Sequence, residues 1–370
     1  MSDHTHIEWS DATWNPITGC SVVSAGCKHC YAMRLAGTRL RDHPSRTGLT
    51  RETSAGPVWT GEVRLNEGWL DQPLRWKKPR RIFVCAHGDL FHESVPNAWI
   101  DRVFAVMALA PQHTFQVLTK RPERMLDWFQ RNPYKGILGL ADIIRASRPH
   151  LCSVGISDPN ITPWPNVWLG TSVENQATAD ERIPLLLATP AAVRWISAEP
   201  MIGPLDLSRN GLWLIQRWKP CDSLPTAPWC PDDPMKWWWA PQVLRGSGQK
   251  LIDWVVAGGE SGPGARPSHP DWVRSLRDQC QAAGVAFFFK QWGEWCPVGP
   301  LYSDHDSPAL DTDPDEDPRD FWITPGGSGW RPQFDGQPPL GSWAMRQCGK
   351  RAAGRLLDGR VWDEFPAVGK

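Results

Sequence analysis

The sequence predicts an α/β fold, a partial parallel βα barrel with loop insertions. Short apolar runs alternate with amphipathic stretches about seven times. The runs are nearly continuously apolar, as expected of parallel strands that are covered by helices. Almost every run ends in polar or charged residues, which favours a barrel, because barrels assemble their sites from the carboxyl ends of many strands. A doubly wound sheet would concentrate them at one or two switch points.

The individual elements follow from these runs. The predicted strands are residues 17–20, 81–87, 113–120, 167–173, 193–199, 252–259 and 285–291. Helical periodicity predicts helices at 97–109, 122–130, 175–188 and 270–283. Asn97 and Pro122 are typical of helix starts, and Gly284 is typical of a helix end.

Two segments interrupt the alternation of predicted strands and helices, and a third segment follows the last predicted strand. Residues 131–165 and 207–250 are rich in Pro, Gly and Trp, which predicts insertions over the barrel mouth. The barrel domain is therefore expected at 1–295. Residues 296–370 are expected to form a C-terminal extension, an acidic loop followed by a segment, 355–366, that packs back on the barrel.

Charge and hydropathy exclude some classes of protein. The 370 residues carry 40 basic and 40 acidic side chains, so there is no global electrostatic footprint for nucleic acid. The N-terminus lacks the pattern of a signal peptide, and no stretch approaches the roughly 18 apolar residues of a membrane helix. We therefore expect a cytoplasmic protein without a membrane partner.

Three of the ten cysteines, Cys20, Cys27 and Cys30, lie close together in the order Cys-x6-Cys-x2-Cys. Thiolates are the usual ligands of iron–sulfur clusters, whereas a structural zinc site normally has a fourth Cys or His. Three ligands leave one iron of a cubane open for substrate or cofactor. Cys85 and Cys280 lie in an apolar strand and an amphipathic helix, so they are predicted to be core residues.

This motif at the end of a barrel strand resembles the radical S-adenosylmethionine (SAM) superfamily, where the usual spacing is Cys-x3-Cys-x2-Cys. The whole chain resembles a phage-associated family of unknown function with a three-cysteine motif. The matching segments are IEWSDATWNPITGC, DLFHESVP, FQVLTKRPERM, LGTSVEN, SAEPMIGPL, VVAGGESGPGARP, FFFKQWG and RLLDGRVWDEFP.

The resemblance implies a TIM-like barrel of the radical SAM type, a [4Fe–4S] cluster on the three thiolates, and SAM bound to the open iron. One electron from the cluster would cleave SAM to methionine and a 5′-deoxyadenosyl radical, which abstracts a hydrogen from the substrate. It leaves the substrate and the reaction type open.

Carboxylates at the strand ends are candidates for contact with SAM. The superfamily places the contact to the methionine amino group after its second strand, which implies Asp89; a cap of the following turn is the alternative. Glu174 and Glu199, helped by Ser172, suit ribose hydroxyls. For Glu174, stabilisation of a helix N-terminus is the alternative. Glu260 is expected to face the mouth, or to be a solvated carboxylate on a turn.

Cations at strand ends and in one loop are candidates for anion binding. Lys290, like Lys120, is expected to bind the carboxylate of SAM or a substrate phosphate, or to pair with Glu260 or Glu199. A basic run around Trp76 predicts contact with a nucleotide or nucleic acid, with a solvated loop as the alternative. Its cations are Arg75, Lys77, Lys78, Arg80 and Arg81.

Two functional hypotheses remain. The first is a radical SAM enzyme that takes electrons from a donor and modifies a substrate, with a nucleotide or nucleic acid as the candidate. The second is a non-catalytic, metal-stabilised phage accessory or nucleic-acid-binding protein. A zinc base deaminase is disfavoured, since that class needs a Pro before its Cys-x2-Cys pair and the residue before Cys27 is Gly26.

Overall fold

The computed structural model describes residues 5, 7–131, 133–147, 163–208, 252–300, 320–327, 329–330 and 340–367. The strands are β1 (Ala12–Trp14), β2 (Ile17–Thr18), β3 (Thr50–Arg51), β4 (Val58–Trp59), β5 (Arg64–Leu65), β6 (Arg81–Val84), β7 (Thr114–Thr119), β8 (Val167–Ser172), β9 (Val193–Ala198), β10 (Trp254–Gly258), β11 (Ala286–Gln291), β12 (Trp295–Pro300), β13 (Asp320–Ile323), β14 (Gly329–Trp330) and β15 (Trp343–Gln347). The helices are α1 (Tyr31–Gly37), α2 (Gln72–Arg75), α3 (Asn97–Ala108), α4 (Pro122–Gln130), α5 (Tyr134–Ser147), α6 (Gln176–Ala188), α7 (Pro270–Ala283) and α8 (Lys350–Ala353).

The main sheet is a parallel, curled half-barrel of seven strands in the order β1-β6-β7-β8-β9-β10-β11. Helices α3, α6 and α7 each connect two neighbouring strands, and the β7–β8 connection contains both α4 and α5. The predicted α/β class is confirmed, and the sheet is compatible with a partial parallel βα barrel.

Helix boundaries agree closely with their sequence signals. Helix α3 begins at Asn97 and α4 begins at Pro122. Helix α7 ends at Gly284, whose φ of 64° lies in the left-handed region that a residue with a Cβ rarely adopts. Asn175 caps α6 through a capping box with Thr178.

The first strand of the barrel differs from the prediction. The parallel sheet begins with β1, whereas the predicted strand at 17–20 is the two-residue β2, which pairs antiparallel with β5. Pro16 lacks an N–H and therefore interrupts the ladder between the two segments. Gly19 then turns the chain with a φ of 97°, close to the Glu62 carbonyl.

The described part of the predicted insertion 131–165 is mainly helix. Helix α5 buries Ile137 and Ala141 and packs against α3. Residues 148–162, and nearly all of the second predicted insertion at 207–250, lie outside the described residues.

The C-terminal part begins with a small antiparallel sheet in the order β12-β15-β13-β14. The chain then returns to the edge strand β11, where the Phe289 N–H donates to the Trp362 carbonyl at 2.9 Å and the Glu364 N–H donates to the Phe287 carbonyl at 3.2 Å. The returning segment therefore covers an exposed sheet edge. Much of the acidic loop, residues 301–319 and 331–339, lies outside the described residues.

The two faces of the main sheet bury different side chains, because successive residues of a strand point to opposite faces. Aliphatic residues such as Ile82, Val84 and Val255 pack with the helices in the larger core. A smaller core on the other, concave face is mostly aromatic, and we call it the aromatic floor (Phe83, Trp9, Trp168, Trp195, Trp254 and Phe288). No helix in the described residues is long and apolar enough to cross a membrane.

Candidate functional site

The concave face changes from aromatic to charged along the strands. Trp195 pairs with Trp254 across β9 and β10, and two residues further on Ser197 pairs with Val256. Another step of two reaches the strand ends, where the alternation places polar side chains on the same face. We call this group the mouth (Lys120, Ser172, Glu174, Glu199 and Lys290). The mouth lies at the carboxyl end of the sheet, where barrels carry their sites.

The cysteine loop, residues 20–30, is fastened to this end of the sheet by side chains from three strand ends. The Ser24 hydroxyl donates to Glu174 Oε1 at 2.8 Å, after β8. Arg266, which follows β10, donates from Nη2 to the Ala25 carbonyl at 3.0 Å. Arg121, which follows β7, donates from Nη1 to Cys20 Sγ at 3.6 Å. The loop is therefore positioned by the sheet itself.

Two glycines allow the close approach of the loop to its supports. A Cβ on Gly26 would lie 2.5 Å from the Glu174 carboxylate, so any other residue would displace the loop from it. A Cβ on Gly264, in the loop after β10, would lie 2.9 Å from the ring of His29. Both contacts explain why small residues stand in and beside the cysteine motif.

The three thiols are largely removed from solvent. Burial raises the pKa of the Cys20 thiol to about 12, an effect that Asp89 reinforces and Arg121 opposes. Burial also raises the pKa of Cys30, and Cys27 adds to it electrostatically. Cys30 interacts electrostatically with both other cysteines, so all three thiols belong to one neighbourhood.

In the ranges that the structure describes, no three His, Cys, Asp or Glu side chains converge as closely as metal ligands. The chemistry of the donors therefore decides which metal group fits. A buried thiolate needs a positive charge nearby, and among the described residues the cation that donates to a cysteine sulfur is Arg121, at Cys20. Three soft donors on one loop suit an iron–sulfur cluster better than a hard cation. The residues present fit such a group.

Asp89 supports Arg121. Its Oδ1 accepts from the Thr119 hydroxyl at 2.7 Å and the Phe91 N–H at 3.0 Å. Its Oδ2 accepts from the Lys120 N–H at 3.1 Å and from Arg121 at 3.0 Å. Asp89 is only 5% exposed, and its four bonds make it an anchor of the turn and of the arginine that contacts Cys20.

Glu174 is completely buried and forms the second anchor. It is paired with Lys120 and, at 3.3 Å, with Arg182 of α6. Burial alone would raise the pKa of Glu174, but these two cations hold it below its ordinary value. The carboxylate therefore stays charged beneath the cysteine loop.

Glu260 forms the third anchor. Its Oε1 accepts from Arg266 Nη2 at 2.6 Å and its Oε2 accepts from Arg266 Nε at 2.8 Å, a bidentate pair. Because the same Nη2 also reaches Ala25, the carboxylate orients the guanidinium against the cysteine loop.

Glu199 and Lys290 form a more open pair. Lys290 Nζ lies 3.0 Å from Glu199 Oε1, and their side chains are 18% and 15% exposed. Lys120 is similarly accessible, with 19% of its side chain exposed. These paired side chains are therefore still able to meet a ligand, whereas Asp89, Glu174 and Glu260 are buried. Ser172 is buried beside Ser197 on the neighbouring strand.

The basic run lies at the other end of the sheet. It precedes β6, so parallel strand direction places it at the amino-terminal edge. Arg75 pairs with Asp71 at 2.8 Å, Arg81 pairs with Asp11 at 3.0 Å, and Arg80 stacks over Trp76. Any polymer bound there would not lie at the mouth.

All nine predicted cofactor- and metal-binding residues lie at one end of the sheet, but three of their partners carried no sequence signal of their own. Ser24 of the cysteine loop and Arg182 both bond to Glu174, and Arg266 bonds to Glu260 and to the loop. A serine in a loop and arginines near helices are too common to indicate a site. Arg121 was detectable, because it follows a charged strand end directly.

A family model described as a protein of unknown function (DUF5131) matches residues 4–366. No curated protein and no solved structure matches the chain.

Proposed function

The chain belongs to the DUF5131 family, and from the geometry of its mouth we propose that it is a radical SAM enzyme on a TIM-like barrel of the radical SAM type. The observation that supports the proposal is the position of the three-cysteine loop on the sheet. Charged side chains from three strand ends hold it over the carboxyl end of a parallel half-barrel. A purely structural metal site would not need the further, accessible charges of the mouth.

In this proposal Cys20, Cys27 and Cys30 hold three irons of a [4Fe–4S] cluster and leave the fourth open. When bound, the cluster and SAM would supply a one-electron cleavage to methionine and a 5′-deoxyadenosyl radical, with the electron coming from a donor protein. The chain's own contribution is to orient the cysteine loop and to exclude water from the thiols.

The residues at the mouth divide into two roles in this proposal. The buried carboxylates Asp89, Glu174 and Glu260 are positioning residues, because each acts through a partner that belongs to the cysteine loop or contacts it. The accessible Lys120, Glu199 and Lys290 are the groups that would meet SAM or the substrate. Lysines suit a carboxylate or phosphate, and a carboxylate suits vicinal hydroxyls. A nucleotide or nucleic acid remains the candidate substrate on the ground of these lysines, because the basic run lies at the other end of the sheet.

Anaerobic reconstitution tests the proposal. We expect brown protein with roughly four irons per chain, a spectrum that SAM perturbs, and slow release of 5′-deoxyadenosine with dithionite. Cys27→Ala should lose iron while staying folded. The matched control is Cys280→Ala, which removes a buried thiol of α7, away from the mouth.

Three results would contradict the proposal. Full cluster occupancy in Cys27→Ala would show that the motif does not bind it. A fully clustered protein that binds no SAM and releases no 5′-deoxyadenosine would be an electron-transfer or structural protein. One stoichiometric zinc would support the non-catalytic alternative.

A further inference from the structure

A second polar cluster lies beside the cysteine loop, at the carboxyl end of β6. Arg46 is only 3% exposed, and its Nη2 lies 2.6 Å from His87 Nδ1. Its Nη1 donates to the Ser45 hydroxyl at 2.7 Å and to the Ser45 carbonyl at 3.2 Å. Its buried Nε has no hydrogen-bond partner among the described residues.

The charge of Arg46 is not neutralised by the surrounding protein. In the described part of the chain no carboxylate forms an ion pair with it, and the charged group that acts most strongly on it is another cation, Arg64. Burial and Arg64 lower the pKa of Arg46 to about 10, so it remains protonated at neutral pH. A buried cation without a counterion creates a strong positive potential at its surface.

His87 accepts a hydrogen bond from Arg46 on one side of its ring and has an N–H on the other side. An arginine can only donate, so Nδ1 of His87 must accept and the ring proton must sit on Nε2. Burial, then Arg46, lowers the pKa of His87 to about 4, so the ring is neutral. The backbone N–H of His87 donates to Asn15 Oδ1 at 3.0 Å, and this bond fixes the position of the residue. Nε2 makes no hydrogen bond to any residue that the structure describes.

Tyr31 contacts both His87 and the mouth. Its ring meets His87 edge-on at 6.0 Å, and its hydroxyl donates to the Ala86 carbonyl at 2.5 Å. Tyr31 directly follows Cys30 and interacts electrostatically with Glu199 of the mouth. On the other side, the His87 carbonyl accepts from the Gly19 N–H at 3.2 Å, one residue before Cys20.

We propose that His87 donates its Nε2–H to an anionic oxygen, a carboxylate or phosphate, of the ligand at the mouth, with Arg46 fixing the tautomer from behind. The proposal deepens the function proposed above, because it names the charge of a ligand group at the same mouth. A neutral imidazole with a fixed proton is a directional donor. Arg46 supplies the charge that the imidazole lacks.

The tautomer is tested first, without any ligand. In ¹⁵N-histidine-labelled protein, long-range ¹⁵N–¹H correlation should show His87 with an unprotonated Nδ1 and a protonated Nε2, unchanged from about pH 5.5 to 8. Arg46→Met should give mixed tautomers and a normal titration. Arg102→Met, which breaks an exposed pair with Glu67, should leave His87 unchanged. A protonated Nδ1 in the unaltered protein would overturn the proposal.

Binding is tested second, with SAM and inorganic phosphate as separate probes on wild type, His87→Gln and His87→Phe. Loss of one hydrogen bond should weaken binding about tenfold in His87→Phe, and less in His87→Gln, which keeps a donor. If the His87 variants bind SAM more weakly, the anionic oxygen belongs to the SAM carboxylate. If they bind only phosphate more weakly, the oxygen belongs to a second ligand.

Unchanged affinity for both probes in His87→Phe would overturn the inference. If the protein binds no SAM at all, the enzyme proposal fails. The tautomer and the phosphate measurements still decide the role of His87 in that case.

Discussion

The two ends of the concave face use opposite solutions to the same problem of filling a half-barrel. At the floor, large rings meet edge-on, with Trp9 centred 4.8 Å from Phe83 and 5.3 Å from Trp195. At the mouth, charged side chains meet in pairs, such as Lys290 with Glu199. The floor stabilises the fold by burying apolar area. The ion pairs of the mouth contribute little net stability, and their effect is to position the cysteine loop.

The sharpest contrast is expected from removing one ring of the floor. Trp195→Ala should cost about 3–5 kcal/mol in the free energy of unfolding, toward the lower value because the buried indole N–H has no partner in the described residues. Urea unfolding measures the loss. Trp195→Phe should cost less, since it keeps a ring and removes the unpaired N–H. Iron bound per folded chain should stay unchanged in both.

At the mouth, Glu174→Gln should cost about 3 kcal/mol, because it leaves Lys120 and Arg182 without their counter-charge. The pKa of Glu174 is lowered by folding, so its stabilisation is present at neutral pH. It is lost as pH falls below 4.5, the ordinary value, and through the lowered value of the folded protein. Urea unfolding at several pH values should therefore show the two proteins converging in acid.

The exposed Glu181 on the same helix provides the control for this prediction. Glu181→Gln should change stability by less than about 0.5 kcal/mol at any pH. Equal effects of the two substitutions would mean that the buried ion pairs contribute nothing to the free energy of unfolding.

The same Glu174→Gln variant should also bind less iron, because Ser24 loses a charged acceptor.

A smaller effect is expected from Gly170→Ala at the border between floor and mouth. The added Cβ would lie 2.5 Å from the ring of Trp195, and overpacking of this kind costs about 1–3 kcal/mol. Gly136→Ala in α5, with open space around it, should instead stabilise by up to about 1 kcal/mol. Thermal unfolding separates the two. A stabilised Gly170→Ala would show that the floor is loosely packed.

Much of this comparison was predictable from the sequence. The run VRWISAE places Val193, Trp195 and Ser197 on one face by alternation, and Glu199 follows at the strand end. The location of the basic run was also implied, because Arg75–Arg81 precedes its strand. The first strand was predicted wrongly, because the three residues of β1 are too short a run to be recognised beside ITGC.

By itself, the sequence determined the parallel α/β architecture, the helix limits and the gathering of polar residues at one end, since these depend on local periodicity and on strand direction. Only the tertiary structure decided the partners. Glu174 pairs with Lys120 of one strand end and Ser24 of the cysteine loop, 54 and 150 residues away. His87 accepts a hydrogen bond from the buried Arg46, which lies in the loop between α1 and β3. Such pairings depend on how strands curl and loops cross them, and no short-range pattern in the chain records that.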